Sequence, residues 1–188
     1  MEALDLKPKN GFTLIELLVT LVILVIIIVF GVPSLQTIIN RSEARSEISR
    51  LHIGVSQAHM HAINNTTHVT ICPLNSNNKC TLAWNDKITI FEDINNNRIL
   101  DTNEATLFSF DAVSDKRLKR SYGKRRAITF NPMGHSFGYN GTLRFCLITD
   151  QVLSGGLIIH GTGRIRPARD ENSDGIAEDS QGRDIRCS

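Results

Sequence analysis

The chain has 188 residues, 41% of them hydrophobic and 21% charged, and 21 basic residues nearly cancel 19 acidic ones to leave a formal net charge of +2. That composition excludes a wholly disordered chain, a collagen-like repeat and a polytopic membrane protein, and its balance alone gives no reason to expect a nucleic-acid binder. Placement along the chain carries more information than the averages.

The first apolar stretch is residues 12–33, in which Thr13, Glu16 and Thr20 are the clearly polar positions up to Val32. As a helix it would be roughly 31 Å long, enough to cross a hydrocarbon core. A short polar segment with Lys7 and Lys9 precedes it, and cations on that side favour leaving the N-terminus in the cytoplasm. A cleaved secretory signal fits poorly, because the run is long and no A-x-A-like triplet follows it. Glu16 is a carboxylate within the run. Burying it would cost on the order of 3 kcal/mol, so it calls for a partner.

The run Lys9-Asn10-Gly11-Phe12-Thr13-Leu14-Ile15-Glu16 resembles the processing and N-methylation motif of type IV pilins and pseudopilins. The resemblance implies that residues 1–11 are a leader cut between Gly11 and Phe12 by a prepilin peptidase. It further implies that Phe12 becomes N-methylated, and that Glu16 pairs with the N-terminal amine of a neighbouring subunit during filament assembly. Pro33 stands where such pilins often carry a helix-kinking proline.

Beyond Pro33 the apolar residues Leu35, Ile38, Ile39, Ala44, Ile48, Leu51, Val55, Ala58 and Ala62 recur every three or four positions, with charged residues between them. This predicts an amphipathic helix over 34–63, ended by Asn64-Asn65. Residues 64–188 then read as a β-rich head. Strand-like runs fall at 68–72, 87–91, 106–110, 127–131, 142–148 and 157–160, separated by Asn, Asp, Gly and Ser clusters. One long helix followed by strands predicts an α+β fold, with the amphipathic stripe packed on an antiparallel sheet. The orientation places the head in the periplasm, on a single-pass inner-membrane anchor, and outside the cell once the protein is in a pilus.

Four cysteines permit three pairings, and sequence proximity favours Cys72 with Cys80 and Cys146 with Cys187. Paired C-x-x-C zinc spacing is absent, so structural disulfides in an oxidising compartment are expected.

Three downstream elements narrow the resemblance: Phe130-Asn131-Pro132-Met133-Gly134, then Gly141-Thr142-Leu143-Arg144-Phe145-Cys146, then Gly163-Arg164-Ile165-Arg166. They resemble the GspH/FimT group of minor pilins and pseudopilins. In the FimT-like branch a G-R-x-R element is associated with DNA binding during natural transformation, which implies that role for Arg164 and Arg166. If that segment is extended, both arginines point the same way and could engage phosphates along one strand by bidentate hydrogen bonds. The tail departs from the pattern, since Cys187 lies 21 residues beyond Arg166.

Charge extends the candidate surface beyond what the resemblance covers. Residues 116–126 hold Lys116, Arg117, Lys119, Arg120, Lys124, Arg125 and Arg126, seven cations in eleven positions with no acid. Such a run reads as a solvated loop or as a phosphate-binding patch; Arg169 adds one more cation beside Arg166. Contacts of this kind go to the backbone, so little sequence preference is expected. The alternative function is a structural minor pilin or type II secretion pseudopilin that helps initiate a filament without binding DNA.

Two acidic loops have features of calcium sites. In the first, Asp93, Asn95, Asn97, Asp101 and Glu104 take positions 1, 3, 5, 9 and 12 of an EF-hand-like loop, but Arg98 stands where glycine makes the sharp turn. The second, Asp170-Glu171-Asn172-Ser173-Asp174-Gly175, has the glycine but carries Gln181 at position 12. An Asn-rich turn and a solvated acidic insert are the preferred readings, so no cofactor is expected. His52, His59, His61 and His68 form no metal-binding spacing, Ser154-Gly155-Gly156 is no nucleophile elbow, and no enzyme is expected.

Overall fold

In the computed structural model, residues 13–113, 118–147 and 154–186 are described, without the side chains of residues 31–34, 36–37, 40–41 and 43–44. The chain divides into two compact units, residues 1–42 and 43–188.

A single helix, α1, runs Leu14–Asn64. Thr13 caps its start: the Glu16 backbone N–H donates to Thr13 Oγ1 at 3.3 Å. Thr13 and Glu16 thus have the T-x-x-E spacing of a capping box, where a carboxylate also meets the positive end of the helix dipole. At the other end Thr66 adopts φ 52°, and Asn65 and Thr67 N–H groups return to the carbonyls of His61 and Ala62.

In the first unit the apolar side chains from Leu14 to Phe30 are exposed throughout, a sleeve that none of the described residues covers. Among the described residues no helix is long and apolar enough to cross a membrane. The span expected over 12–33 begins at Phe12 and ends in side chains outside that set.

In the second unit Leu51, Val55, Ala58 and Ala62 are buried, one stripe of α1 at helical spacing. They pack with residues from two four-stranded antiparallel sheets. The first sheet has order β3-β2-β1-β5, from β1 (Val69–Pro73), β2 (Ile88–Glu92), β3 (Thr106–Phe110) and β5 (Ile128–Phe130). The second has order β4-β6-β7-β8, from β4 (Leu118–Ser121), β6 (Gly141–Leu147), β7 (Ser154–Ile159) and β8 (Ile165–Pro167). Gly54 lets Phe110 lie against the helix, since a Cβ there would stand 2.3 Å from the ring.

The first sheet is buried on both faces at its centre. Val69, Ile71, Ile88, Ile90, Ile128 and Phe130 join the helix core, while Cys72, Phe91 and Ala127 form a smaller cluster with Cys80. Cys72 and Cys80 are disulfide-bonded with Cα atoms 5.5 Å apart, holding the intervening loop over that cluster. The buried Asp93 is also satisfied there: it accepts from Thr70 Oγ1 at 2.6 Å and from the Asn97 and Arg98 N–H groups.

The second sheet has two unlike faces. Leu143, Phe145, Leu157 and Ile159 point into the core, and Ile165 packs against it. By alternation Thr142 and Arg144, Gly156 and Ile158, and Arg164 and Arg166 point the other way. The C-terminal segment lies on this outer face: a Cβ on Gly156 would meet Ile185 Cδ1 at 2.9 Å, and the Ser180 N–H donates to Thr142 Oγ1. Cys146 on β6 is disulfide-bonded; its expected partner Cys187 is outside the described residues.

Candidate nucleic-acid interface

β8 is an edge strand, with Arg166 opposite Ile158 and Ile165 opposite Ile159. A turn precedes it, in which Gly163 N–H donates to the His160 carbonyl and His160 N–H to the Arg164 carbonyl. Arg164 and Arg166 therefore share a face while Ile165 turns inward. Arg164 and Arg169 are exposed; Arg166 is half-buried and lies 3.6 Å from the Glu171 carboxylate.

The glycine of this element is held by contact. Gly163 has φ 86°, and a Cβ would stand 2.0 Å from the Gly134 carbonyl oxygen and 2.7 Å from His59 Nε2. No L side chain fits that seat. Asn131 organises the facing loop by accepting from the Met133 and His135 N–H groups, and Ser136 N–H donates to the Gly161 carbonyl. The N-P-M-G-H and G-R-I-R segments are therefore one structural unit built on α1. Burial pushes His59 below the ordinary imidazole range, opposed by its hydrogen bond with the Gly134 backbone and reinforced by the charge of His135.

The basic run divides. Lys116 and Arg117 lie outside the described residues. Lys119 and Lys124 are exposed. Arg120 corrects the sequence reading: its guanidinium is buried and pairs with Glu47 of α1 at 3.2 Å. It also donates to the carbonyls of Asn85, Asp86 and Asp111. Burial lowers its pKa, and the Glu47 carboxylate works against that shift. Buried in this way, Arg120 offers nothing to a phosphate in solvent. Arg125 is half-buried, its guanidinium donating to the Asn140 carbonyl while its own carbonyl accepts from Trp84 Nε1. Arg126 turns to a separate cleft shared with Lys79 and Arg98.

Two cations on the outer face are not among the candidate site residues of the sequence, although Arg144 stands within the Gly141–Cys146 element. Arg144 and Arg183 both reach the buried Asp179 carboxylate, at 3.4 and 2.8 Å. Burial pushes Asp179 up, but hydrogen bonds from the Arg183 side chain and from the Gln181 and Arg183 N–H groups hold it below the usual carboxylate range. The signal in sequence is slight, since Arg183 stands in a polar tail beside Asp184 with no periodic pattern.

The acidic loops are closed by their own hydrogen bonds. Glu104 accepts from the Ile94 and Asp101 N–H groups, and the amides of Asn95 and Asn97 donate to Asp101. In the second loop oxygens of Asp170, Asp174 and Glu178 come within 4.8 Å of one another, each residue already accepting a backbone N–H. His61 is engaged with Glu92 at 2.6 Å.

A long N-terminal helix carrying two antiparallel sheets, with a methylation-type leader motif in front, defines a pilin-type subunit. The profile described as "Type II transport protein GspH" matches residues 47–163, and that described as "Prokaryotic N-terminal methylation motif" matches residues 6–32. The chain belongs to the GspH family, as a minor pilin or pseudopilin of the GspH/FimT kind. It is similar to the type IV minor pilin FimU of Pseudomonas aeruginosa in two crystal forms. One has 19% identity and a TM-score of 0.51 over 67% of this chain and 88% of that one. The other has 18% identity and a TM-score of 0.50 over 66% and 92%. Comparison with curated proteins gives no match. Minor pilins of this kind are structural subunits that assemble with other pilins.

Proposed function

We propose that this protein is a minor type IV pilin that binds DNA without sequence preference for uptake in natural transformation. The observation that supports the reading best is the free edge of β8, where Arg164 and Arg166 share a face and Arg169 follows them, exposed. Lys119, Lys124, Arg125 and Arg126 add positive charge on the same unit; Arg120 does not. Maturation by prepilin peptidase between Gly11 and Phe12, methylation of Phe12, and a membrane anchor over residues 12–33 belong to the same reading. The uncovered apolar sleeve of α1 would then be covered first by lipid and later by neighbouring pilin helices, with Glu16 meeting a neighbour's N-terminal amine.

The test is a titration of the full-length protein in nonionic detergent with labelled duplex DNA across salt. Binding should weaken with salt, and Arg164→Gln with Arg166→Gln should flatten the log–log slope by about 0.9 for each phosphate no longer neutralised. A chain that ignores duplex at low salt would sink the proposal.

A structural role in initiating a filament, without DNA, is the second reading. It is favoured by the Glu171 carboxylate beside Arg166, which neutralises one of the two motif arginines within the chain itself.

A further inference from the structure

Beside β6 lies a cleft of about 210 Å³ that the β8 motif does not line. Its walls are the 122–125 turn, the start of β6 and the C-terminal segment 179–183, and it gathers Lys124, Arg125, Arg144 and Arg183 around Asp179. Four cations meet one carboxylate there, so the cleft carries excess positive charge in a concave site, where field lines are focused.

The carboxylate acts as an organiser. Asp179 is buried and accepts from Arg144 Nη2, from Arg183 Nε and Nη2, and from the Gln181 and Arg183 N–H groups. Those bonds fix the two guanidiniums in place yet use few of the five N–H donors that each carries. The remaining donors suit the planar, two-pronged recognition of phosphate oxygens. Lys124 is exposed on the lip and makes no ion pair among the described residues. Asn140 adds an amide.

We infer that this cleft is a phosphate-binding site that takes a phosphodiester of a nucleic-acid strand, with Arg144, Arg183 and Lys124 as its donors. The inference rests on the DNA reading for the class of polymer, and the donors of the cleft include none of the β8 arginines. Geometry favours a polymer over a single anion. Thr142 on the cleft wall, Ile158 and Arg166 stand in one cross-strand row, so that wall and Arg166 lie on the same sheet face, their backbones two strand spacings or roughly 10 Å apart. A chain of phosphates can engage both places, whereas an isolated phosphate satisfies only one. The segment between Arg166 and Cys187 thereby gains a role, because it supplies both Asp179 and Arg183.

The experiment uses the full-length protein in nonionic detergent, a short fluorescein-labelled duplex, and salt titrations of three variants. Lys124→Gln with Arg183→Gln should flatten the log–log slope by about 0.9 for each phosphate left without its cation and weaken binding several-fold at low salt. Lys124→Glu, which leaves the hydrogen bonds to Asp179 intact, should weaken binding without lowering the melting temperature, so misfolding of the first variant cannot decide the result. Arg164→Gln with Arg166→Gln is the comparison. If that variant loses affinity while the cleft variants keep the wild-type slope, the inference falls and the β8 reading stands. If only the cleft variants lose affinity, the inference stands and the β8 reading falls. Absence of duplex binding by the wild type overturns both. Binding to phosphatidylglycerol mixed micelles that needs Lys124 and Arg183, with no effect of these residues on duplex, assigns the cleft to lipid and overturns the nucleic-acid occupant.

Discussion

The two sheets contribute to the same core and yet differ in what they leave outside. The first buries β1 and β5 completely, satisfies Thr70, Thr129 and Asp93 internally, and is covered by a disulfide-held loop. The second gives one face to the core and leaves arginines on the other, with the C-terminal segment folded over part of it. On the proposed function, stability and interaction are divided between the sheets, even though both pack on the same helix stripe. Arg120 is the exception: a cation of the second sheet, it serves as an anchor to α1 and to the carbonyls of the 85–86 and 111 segments.

That exception offers the strongest way to break the division. Arg120→Ala should destabilise the protein by about 2–4 kcal/mol, because it leaves three carbonyls without their donor and Glu47 with only the more exposed Arg50 at 3.6 Å; chemical denaturation of the full-length protein measures it. A loss as small as that of Lys119→Ala would place Arg120 among the solvated cations instead. Next comes the staple on the first sheet. Cys72→Ser with Cys80→Ser should cost about 2.6 kcal/mol on the loop-entropy model while leaving DNA affinity unchanged, read by denaturation and by duplex titration. Lost affinity would show that the sheets are not separable in function.

Gly163→Ala probes the second sheet and should cost about 1–3 kcal/mol through the clash with the Gly134 carbonyl. It should also weaken duplex binding, because the same turn presents Arg164; retained affinity would separate the turn from the interface. The smallest effect concerns acid. His59 has a lowered folded pKa, so the unfolded chain takes up its proton first and stability declines as pH falls from about 6.5 to the folded value. Asp179 has a depressed folded pKa, so its contribution is present above the unfolded carboxylate range and lost as pH falls through the folded value. His59→Gln should remove the upper decline and keep the lower one in melting curves across pH.

Much of this architecture is legible in the residues. The helix reaches Asn64 against an expected end at Ile63, and six strands stand within a few residues of the apolar runs that announce them, 106–110 to the residue. Two strands are hidden. β4 alternates inside and outside as a strand should, but the residues it turns inward are Leu118 and the charged Arg120, so its pattern is that of a charged loop. β8 is three residues long and has arginine on both sides of Ile165. Its arginines are visible as a motif, whereas for Gly163 the sequence shows no more than conformational freedom. The structure names the neighbours, His59 and Gly134, from segments far apart in sequence. The pairing of Arg144 with Asp179 and Arg183 is illegible for the same reason: the expected Cys146–Cys187 bridge brings the tail to β6 but does not say which tail residues Arg144 meets.

The seat of Gly163 against Gly134 also constrains how such a chain can change over time. The contact is backbone to backbone, with His59 closing the third side. A side chain gained at Gly163 would push the Gly134 segment away, and one gained at Gly134 would run into His59 and Ile63 of α1. A change at any of positions 59, 134 and 163 is therefore felt at the other two, so the aim of the arginines depends on residues outside their own motif.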